Sequence, residues 1–71
     1  MNDLELLDVV ALKRDLLKEG LVAGQVGTIV EVLDQGVFLV EFADMDGRTY
    51  AMLELTTEDL MALHYAPMQA A

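Results

Sequence analysis

Residues 25–42 read QVGTIVEVLDQGVFLVEF and give the clearest structural signal in the chain. The first half is rich in Val, Ile and Thr, and the second half in Val and Phe, all of which favour strands. Between the halves stands Asp34-Gln35-Gly36, a run that favours a tight turn. The stretch therefore predicts two strands joined as a β-hairpin.

A second hairpin is predicted directly downstream. Asp46-Gly47 favours a two-residue type I′ turn, because both positions need a positive φ, which Gly accepts freely and Asp tolerates. The turn leads into a strand over residues 48–55. The two hairpins share the strand at residues 37–42, so together they form a three-stranded meander.

The flanking segments complete a five-stranded pattern. Upstream, residues 8–13 form a short run with two valines, which favours a strand, and residues 14–25 contain two glycines and are predicted to form a long loop. Downstream, Thr56 resembles the cap of a single helical turn that precedes a last strand near residues 61–65.

The predicted fold is therefore all-β (mainly β), a small five-stranded SH3-like barrel with one short helical turn before the last strand. A chain of 71 residues has room for one domain, which we assign to residues 1–66. Residues 67–71, which begin at Pro67, are expected to form a frayed C-terminal tail. Closing a small sheet into a barrel hides the strand edges that a flat sheet exposes.

The composition argues against nucleic acid and membranes as partners. With 4 basic and 13 acidic residues, the formal net charge is −9, which repels phosphate backbones and anionic lipids and attracts basic partners. No apolar run approaches the roughly 20 residues of a membrane span, and the N-terminus lacks the basic start of a signal peptide. We therefore expect a cytoplasmic protein with no membrane contact, for which nucleic acid is a disfavoured partner.

Little in the sequence indicates catalysis or metal binding. The chain has no Ser and no Cys, so the common activated nucleophiles are missing, and its single histidine is His64. Asp44-Met45-Asp46-Gly47 resembles part of a calcium loop. With Gly47 at the sixth position, however, the first and twelfth positions fall on Phe42 and Leu53, which carry no carboxylate. We expect no catalytic residues, no cofactor and no metal.

A set of turn and strand motifs also extends along most of the chain. It consists of ELLDVVAL (residues 5–12), GL (20–21), GQVGTIVEV (24–32), VEF (40–42) and DGRTYA (46–51). In these motifs the chain resembles the small bacterial family named domain of unknown function 4926. The resemblance implies a compact β domain without an assigned activity, from a family sometimes linked to toxin and antitoxin gene pairs. It also implies a likeness to the KOW and Tudor barrels.

Strand alternation divides the meander between two faces, because successive side chains of a strand point to opposite sides. On residues 37–42, the two phenylalanines mark one face as core, and Glu41 marks the other as exposed. The residues then expected inside are Val26, Val30, Val32, Phe38, Val40, Phe42, Ala51, Leu53 and Leu55.

The apolar residues left on the outside are predicted to form one stripe that binds a partner. These partner-binding residues are Ile29, Val37, Leu39, Tyr50 and Met52. An apolar stripe across three strands, rimmed by carboxylates, exceeds what a monomer usually exposes, and Tyr and Met are common in interface cores. The alternative is that the chain's own leucines, at residues 4–7 and 16–21, fold over this face.

Two functions from different classes remain open. The first is a non-enzymatic protein-binding module, such as an antitoxin, immunity or accessory protein, whose acidic surface meets a basic protein encoded by a neighbouring gene. A homo-oligomer would use the same apolar stripe. The second is a KOW/Tudor-like nucleic-acid or ribosome-associated barrel, which rests on analogy of fold and is opposed by the charge.

Overall fold

The computed structural model describes residues 4–63, which form one antiparallel sheet. Its five strands are β1 (Val9–Leu12), β2 (Val26–Asp34), β3 (Val37–Ala43), β4 (Thr49–Thr56) and β5 (Leu60–Ala62). The helical elements of this part are two 3₁₀ turns, Leu17–Glu19 and Thr57–Asp59. The predicted mainly β fold, with five strands and a helical turn before the last one, is confirmed.

The strand order across the sheet is β4-β3-β2-β1-β5. The long loop between β1 and β2 lets these two strands pair antiparallel, and β5 returns to the far side of β1. Within residues 4–63, β4 and β5 are the two edges and do not pair with each other, so the sheet is not closed by hydrogen bonds. His64 and the predicted tail at residues 67–71 lie outside the described residues.

The core lies on one face of the sheet. Phe38, Val40 and Phe42 of β3 are buried there, as their alternation predicts. Two leucines from outside the strands complete this core, Leu4 from the N-terminal segment and Leu21 from the long loop. The buried apolar residues that pack together are Leu4, Val10, Leu12, Leu21, Ile29, Phe38, Val40, Phe42, Leu55 and Leu60.

A β-bulge in β2 reverses the predicted alternation of that strand. Ile29 pairs with Val40 on the core side, and the next pair joins Glu31 to Leu39 on the opposite face, so Val30 is an extra residue. Ile29 is fully buried, at 0% exposure. The prediction that Ile29 lies outside is therefore wrong, because an uninterrupted period of two does not hold through a bulge.

The valines of β2 also depart from their predicted positions. Val26 pairs with Ala11 of β1 on the face away from the core and is largely exposed. Val32 pairs with Phe38 and so points to the predicted side, but it lies near the end of the sheet and is exposed as well. Val30 itself is half-buried in the bulge.

The loop between β3 and β4 is longer than the predicted type I′ turn. The Asp44 backbone N–H donates to the carbonyl of Arg48, so three residues lie between the closing pair. Gly47 has a positive φ of 82°, whereas Asp46 does not, which excludes a type I′ turn. The Asp44 carboxylate accepts hydrogen bonds from the backbone of Asp46 and Arg48 and holds this wider loop in place.

Asp59 ties the helical turn to the start of the long loop. Its carboxylate accepts a hydrogen bond from the backbone N–H of Thr56, and the Thr56 side chain accepts from the Asp59 N–H, which together form a capping box. The carboxylate also accepts from the Thr56 hydroxyl and from the Arg14 guanidinium, the latter at 2.6 Å. The Asp59 backbone carbonyl accepts from the Lys13 N–H. Burial raises the pKa of the Asp59 carboxyl. The hydrogen bonds that Thr56 and Arg14 donate to the carboxylate outweigh this effect, so the pKa is lowered.

Replacing Asp59 with asparagine is expected to cost about 1–2 kcal/mol at pH 7, because the charge-assisted hydrogen bonds weaken. A carboxyl with a lowered folded-state pKa stabilises the fold above about pH 4, and this contribution is lost as the pH falls through that lowered pKa. The difference in the free energy of unfolding between the wild type and Asp59→Asn, measured by urea unfolding, should therefore be smaller at pH 3 than at pH 7. Asp46→Asn, at an exposed loop position, is the control. A difference that stays constant with pH would contradict the prediction.

Candidate interaction surface

The face of β2, β3 and β4 that points away from the core is the candidate surface. We call it the outer face and define it by the cross-strand pairs that share this side of the sheet. Its members are Thr28, Glu31, Asp34, Val37, Leu39, Glu41, Met52, Glu54 and Thr56. The alternation of β3 fixes its middle, since Val37, Leu39 and Glu41 alternate with three buried core residues.

Leu39 lies at the centre of the outer face between two carboxylates. Glu31 pairs with it from β2, and Glu54 pairs with it from β4. Neighbouring strands are about 4.8 Å apart, so these two glutamates stand about 10 Å from each other with the leucine between them. Glu41 follows two residues along β3, where it pairs with Met52. A half-buried leucine is thus surrounded by three acidic residues on one surface.

No basic side chain of the described part neutralises these glutamates. Within residues 4–63 the one ion pair joins Arg14 to Asp59, on a different part of the molecule. Glu41 accepts a hydrogen bond from the hydroxyl of Thr49, which holds its carboxylate over the sheet without neutralising it. The outer face therefore combines apolar area with uncompensated negative charge.

Three of the five residues predicted to bind a partner lie on the outer face. Val37 and Leu39 are half-buried there, and Met52 is about half-exposed. Ile29 lies in the core on the opposite side, so it cannot contribute to a surface. The fifth, Tyr50, is displaced by a bulge in β4.

Tyr50 is the extra residue between the pairs Phe42–Ala51 and Ala43–Thr49. Its ring lies beside that of the core residue Phe42, with centroids 6.4 Å apart. The Gln25 side-chain amide donates to its hydroxyl at 3.1 Å. Tyr50 therefore packs beside Phe42 and Gln25. Its predicted place in the stripe beside Met52 is corrected.

The leucines that could have covered the outer face lie elsewhere. Leu4 and Leu21 are core residues, and Leu16 packs against the core. Leu6, Leu7 and Leu17 are 54%, 69% and 74% exposed, so none of them packs over the outer face. In the described part of the chain, internal cover by these segments does not account for the apolar residues of the outer face.

A separate cleft opens at the end of the sheet near the β2–β3 turn. It has a volume of about 490 Å³ and is lined by Leu4, Glu5, Val32, Asp34, Gln35, Gly36, Phe38 and Thr57. Its two charged groups are carboxylates and its apolar wall continues the core. This cleft was not predicted, because it forms where Leu4, distant in sequence, packs beside the β2–β3 hairpin.

The arrangement of Glu31, Leu39 and Glu54 was also missed by sequence reasoning. Each glutamate is visible as an exposed position of its strand, but their meeting around one leucine depends on the register of three strands. Across residues 4–63, no cluster of three or more His, Asp or Glu side chains has the geometry to hold a metal ion. The two helical turns of this part are far too short to cross a membrane.

Comparison with known proteins places the chain in a family. The family model described as Domain of unknown function (DUF4926) matches residues 6–62, which include all five strands. The chain belongs to this family. No curated protein and no solved structure matches the chain. Membership of the DUF4926 family confirms the resemblance in the sequence motifs and assigns no activity to the outer face.

Proposed function

We propose that this DUF4926 domain is a non-enzymatic protein-binding module that docks a basic protein on its outer face. The observation that carries the proposal is the ring of three glutamates around Leu39, of which Glu31 and Glu54 are exposed and Glu41 is half-buried. None of the three forms an ion pair with a basic side chain among residues 4–63. Apolar side chains in the middle of such a surface supply burial, and the surrounding carboxylates select the charge of the partner.

The charge of the whole chain supports the same partner chemistry. A net charge of −9 attracts basic proteins from solution and accelerates their encounter, while it repels other acidic surfaces. Antitoxin, immunity and accessory proteins are the roles that fit a small acidic binding module. We propose the SH3-like barrel as the architectural class, because the strand order and the helical turn before β5 agree with it.

Removal of the three charges is expected to weaken binding of a basic probe. The probe is a soluble peptide that alternates lysine and valine, labelled for fluorescence anisotropy. Partly exposed charge pairs contribute about 0.2–1 kcal/mol each, so a triple Glu→Gln variant at residues 31, 41 and 54 should bind about tenfold more weakly. A higher salt concentration should also lower the affinity of the wild-type domain for the peptide.

A matched variant separates the outer face from net charge. Glu→Gln changes at residues 5, 19 and 58 remove the same number of charges at exposed positions elsewhere. This control should lose less than about threefold in affinity, since only long-range attraction changes. Equal losses in both variants would show that the probe senses net charge alone, and the proposal would then be wrong.

A further inference from the structure

Among residues 4–63, the long edge strand β4 carries backbone groups without a hydrogen-bond partner beside the outer face. Thr57 N–H donates to the Gly36 carbonyl at 3.2 Å, which makes these two residues a hydrogen-bonded pair at the end of the β3–β4 ladder. Antiparallel pairs alternate between hydrogen-bonded and non-hydrogen-bonded. Leu53 and Leu55 therefore bond to β3, whereas the N–H and C=O groups of Met52 and Glu54 point away from it.

These edge-facing groups have no hydrogen-bond partner within residues 4–63. The edge is bounded at both ends. At one end the Thr56 N–H donates to the Asp59 carboxylate, and at the other the bulge at Tyr50 interrupts the strand. Between these limits, two N–H and two C=O groups remain available to an incoming strand. The opposite edge, β5, is only three residues long.

The side chains along this edge are also incompletely covered. Leu53 points toward the core but is only half-buried, while Leu55 next to it on the same face is buried. Met52 and Glu54 point to the outer face and are exposed. A strand added beside β4 would cover Leu53 with its own inward side chains and would present its alternate side chains to Glu54.

We propose that β4 accepts an extended, basic segment of the partner as a sixth strand, with lysine or arginine at the outward positions and apolar residues between them. Charge complementarity selects this occupant, because the outward neighbour on β4 is Glu54, with Glu41 one strand further in and Glu31 two strands further in. A second copy of the chain is disfavoured, since it would bring another Glu54 and a charge of −9 to the same edge. The inference rests on the proposed function and specifies how the partner binds.

Amide hydrogen exchange on the full chain tests strand addition directly. The probe is an alternating lysine and valine peptide as long as the eight residues of β4. At saturating peptide, exchange at the Met52 and Glu54 amides is expected to slow at least about tenfold, because they gain hydrogen bonds. The Leu53 and Leu55 amides, already bonded to β3, should slow by a smaller factor. A peptide alternating glutamate and valine should give no protection.

A pair of variants at one position gives an independent readout. Met52→Pro removes the edge-facing N–H and leaves the ladder to β3 intact, whereas Met52→Ala keeps the N–H and shortens the side chain. The proline variant should bind the basic peptide at least about tenfold more weakly than the alanine variant. Equal affinities of two folded variants would overturn strand addition.

The remaining outcomes separate the two proposals. Peptide binding without protection of Met52 and Glu54 would overturn strand addition and leave docking on the outer face standing. No binding at all would overturn both. Protection of the two amides in the protein alone, increasing with protein concentration, would assign the edge to a second copy and overturn the basic partner.

Discussion

Replacing Ile29 with aspartate is expected to unfold the domain, whereas Leu39→Asp should leave it folded. Ile29 is fully buried, so the change removes apolar burial and places a carboxyl in the core, at a cost of at least about 4 kcal/mol. A domain of this size has about 4–10 kcal/mol of stability in total. Leu39 is half-buried on the outer face, where an aspartate costs about 1–2 kcal/mol, partly through repulsion by Glu31 and Glu54.

Circular dichroism and urea unfolding of the two variants check this prediction. The comparison tests the bulge at Val30, because an uninterrupted strand would place Ile29 on the outer face, opposite Glu41. A folded, cooperative Ile29→Asp variant would therefore contradict the register of β2. An unfolded Leu39→Asp variant would contradict the placement of the outer face.

Replacing Gly27 with alanine is the second change with a large expected effect. A Cβ at this position would lie 2.8 Å from Cγ1 of Val40, 2.9 Å from the Glu41 carbonyl oxygen and 3.0 Å from Cδ2 of Phe42. Such distances require β2 to move away from β3, because backbone and core side chains cannot withdraw freely. We expect a loss of about 2–3 kcal/mol in the free energy of unfolding.

The neighbouring residue supplies the control for Gly27→Ala. Thr28 lies on the same strand but points to the outer face, so Thr28→Ala should cost less than about 1 kcal/mol. Urea unfolding of both variants measures the difference. A Gly27→Ala protein as stable as the wild type would show that β2 and β3 are not in such close contact.

The local features of the fold could be predicted because they depend on neighbouring residues. The strand at β3 shows its two faces through the alternation of phenylalanine with glutamate, and Thr56 with its acidic followers marks the helical turn. Gly36 and Gly47 mark the positions of both hairpin loops. Each of these signals acts over a few residues, and a sequence displays it directly.

The bulges could not be predicted in the same way. Val30 and Tyr50 are ordinary strand residues, and their bulged positions follow from how each strand fits against its neighbour. The contact between Gly27 and β3 fixes one part of the β2 register, and the β2–β3 hairpin fixes another. Two residues of β2, Val30 and Leu33, are left over between them. As a result, the predicted binding residues included Ile29, which is buried.

The candidate surface was therefore predictable only in its centre. Val37 and Leu39 follow from β3 alone, whereas the ring of carboxylates around Leu39 requires the pairing of three strands. The free edge of β4 depends on the order of the whole sheet, because β5 pairs with β1 on the other side. Neither feature can be read from one segment.

The most direct test of a basic partner on the outer face is an NMR titration of the ¹⁵N-labelled chain with the alternating lysine and valine peptide. At about 50 mM salt, where charge attraction is strong, we expect amide shifts concentrated at residues 37–41 and 52–54 and absent when glutamates 31, 41 and 54 are changed to lysine. No shifts, or shifts centred on the cleft at Leu4, Gln35 and Gly36, would contradict the proposed function.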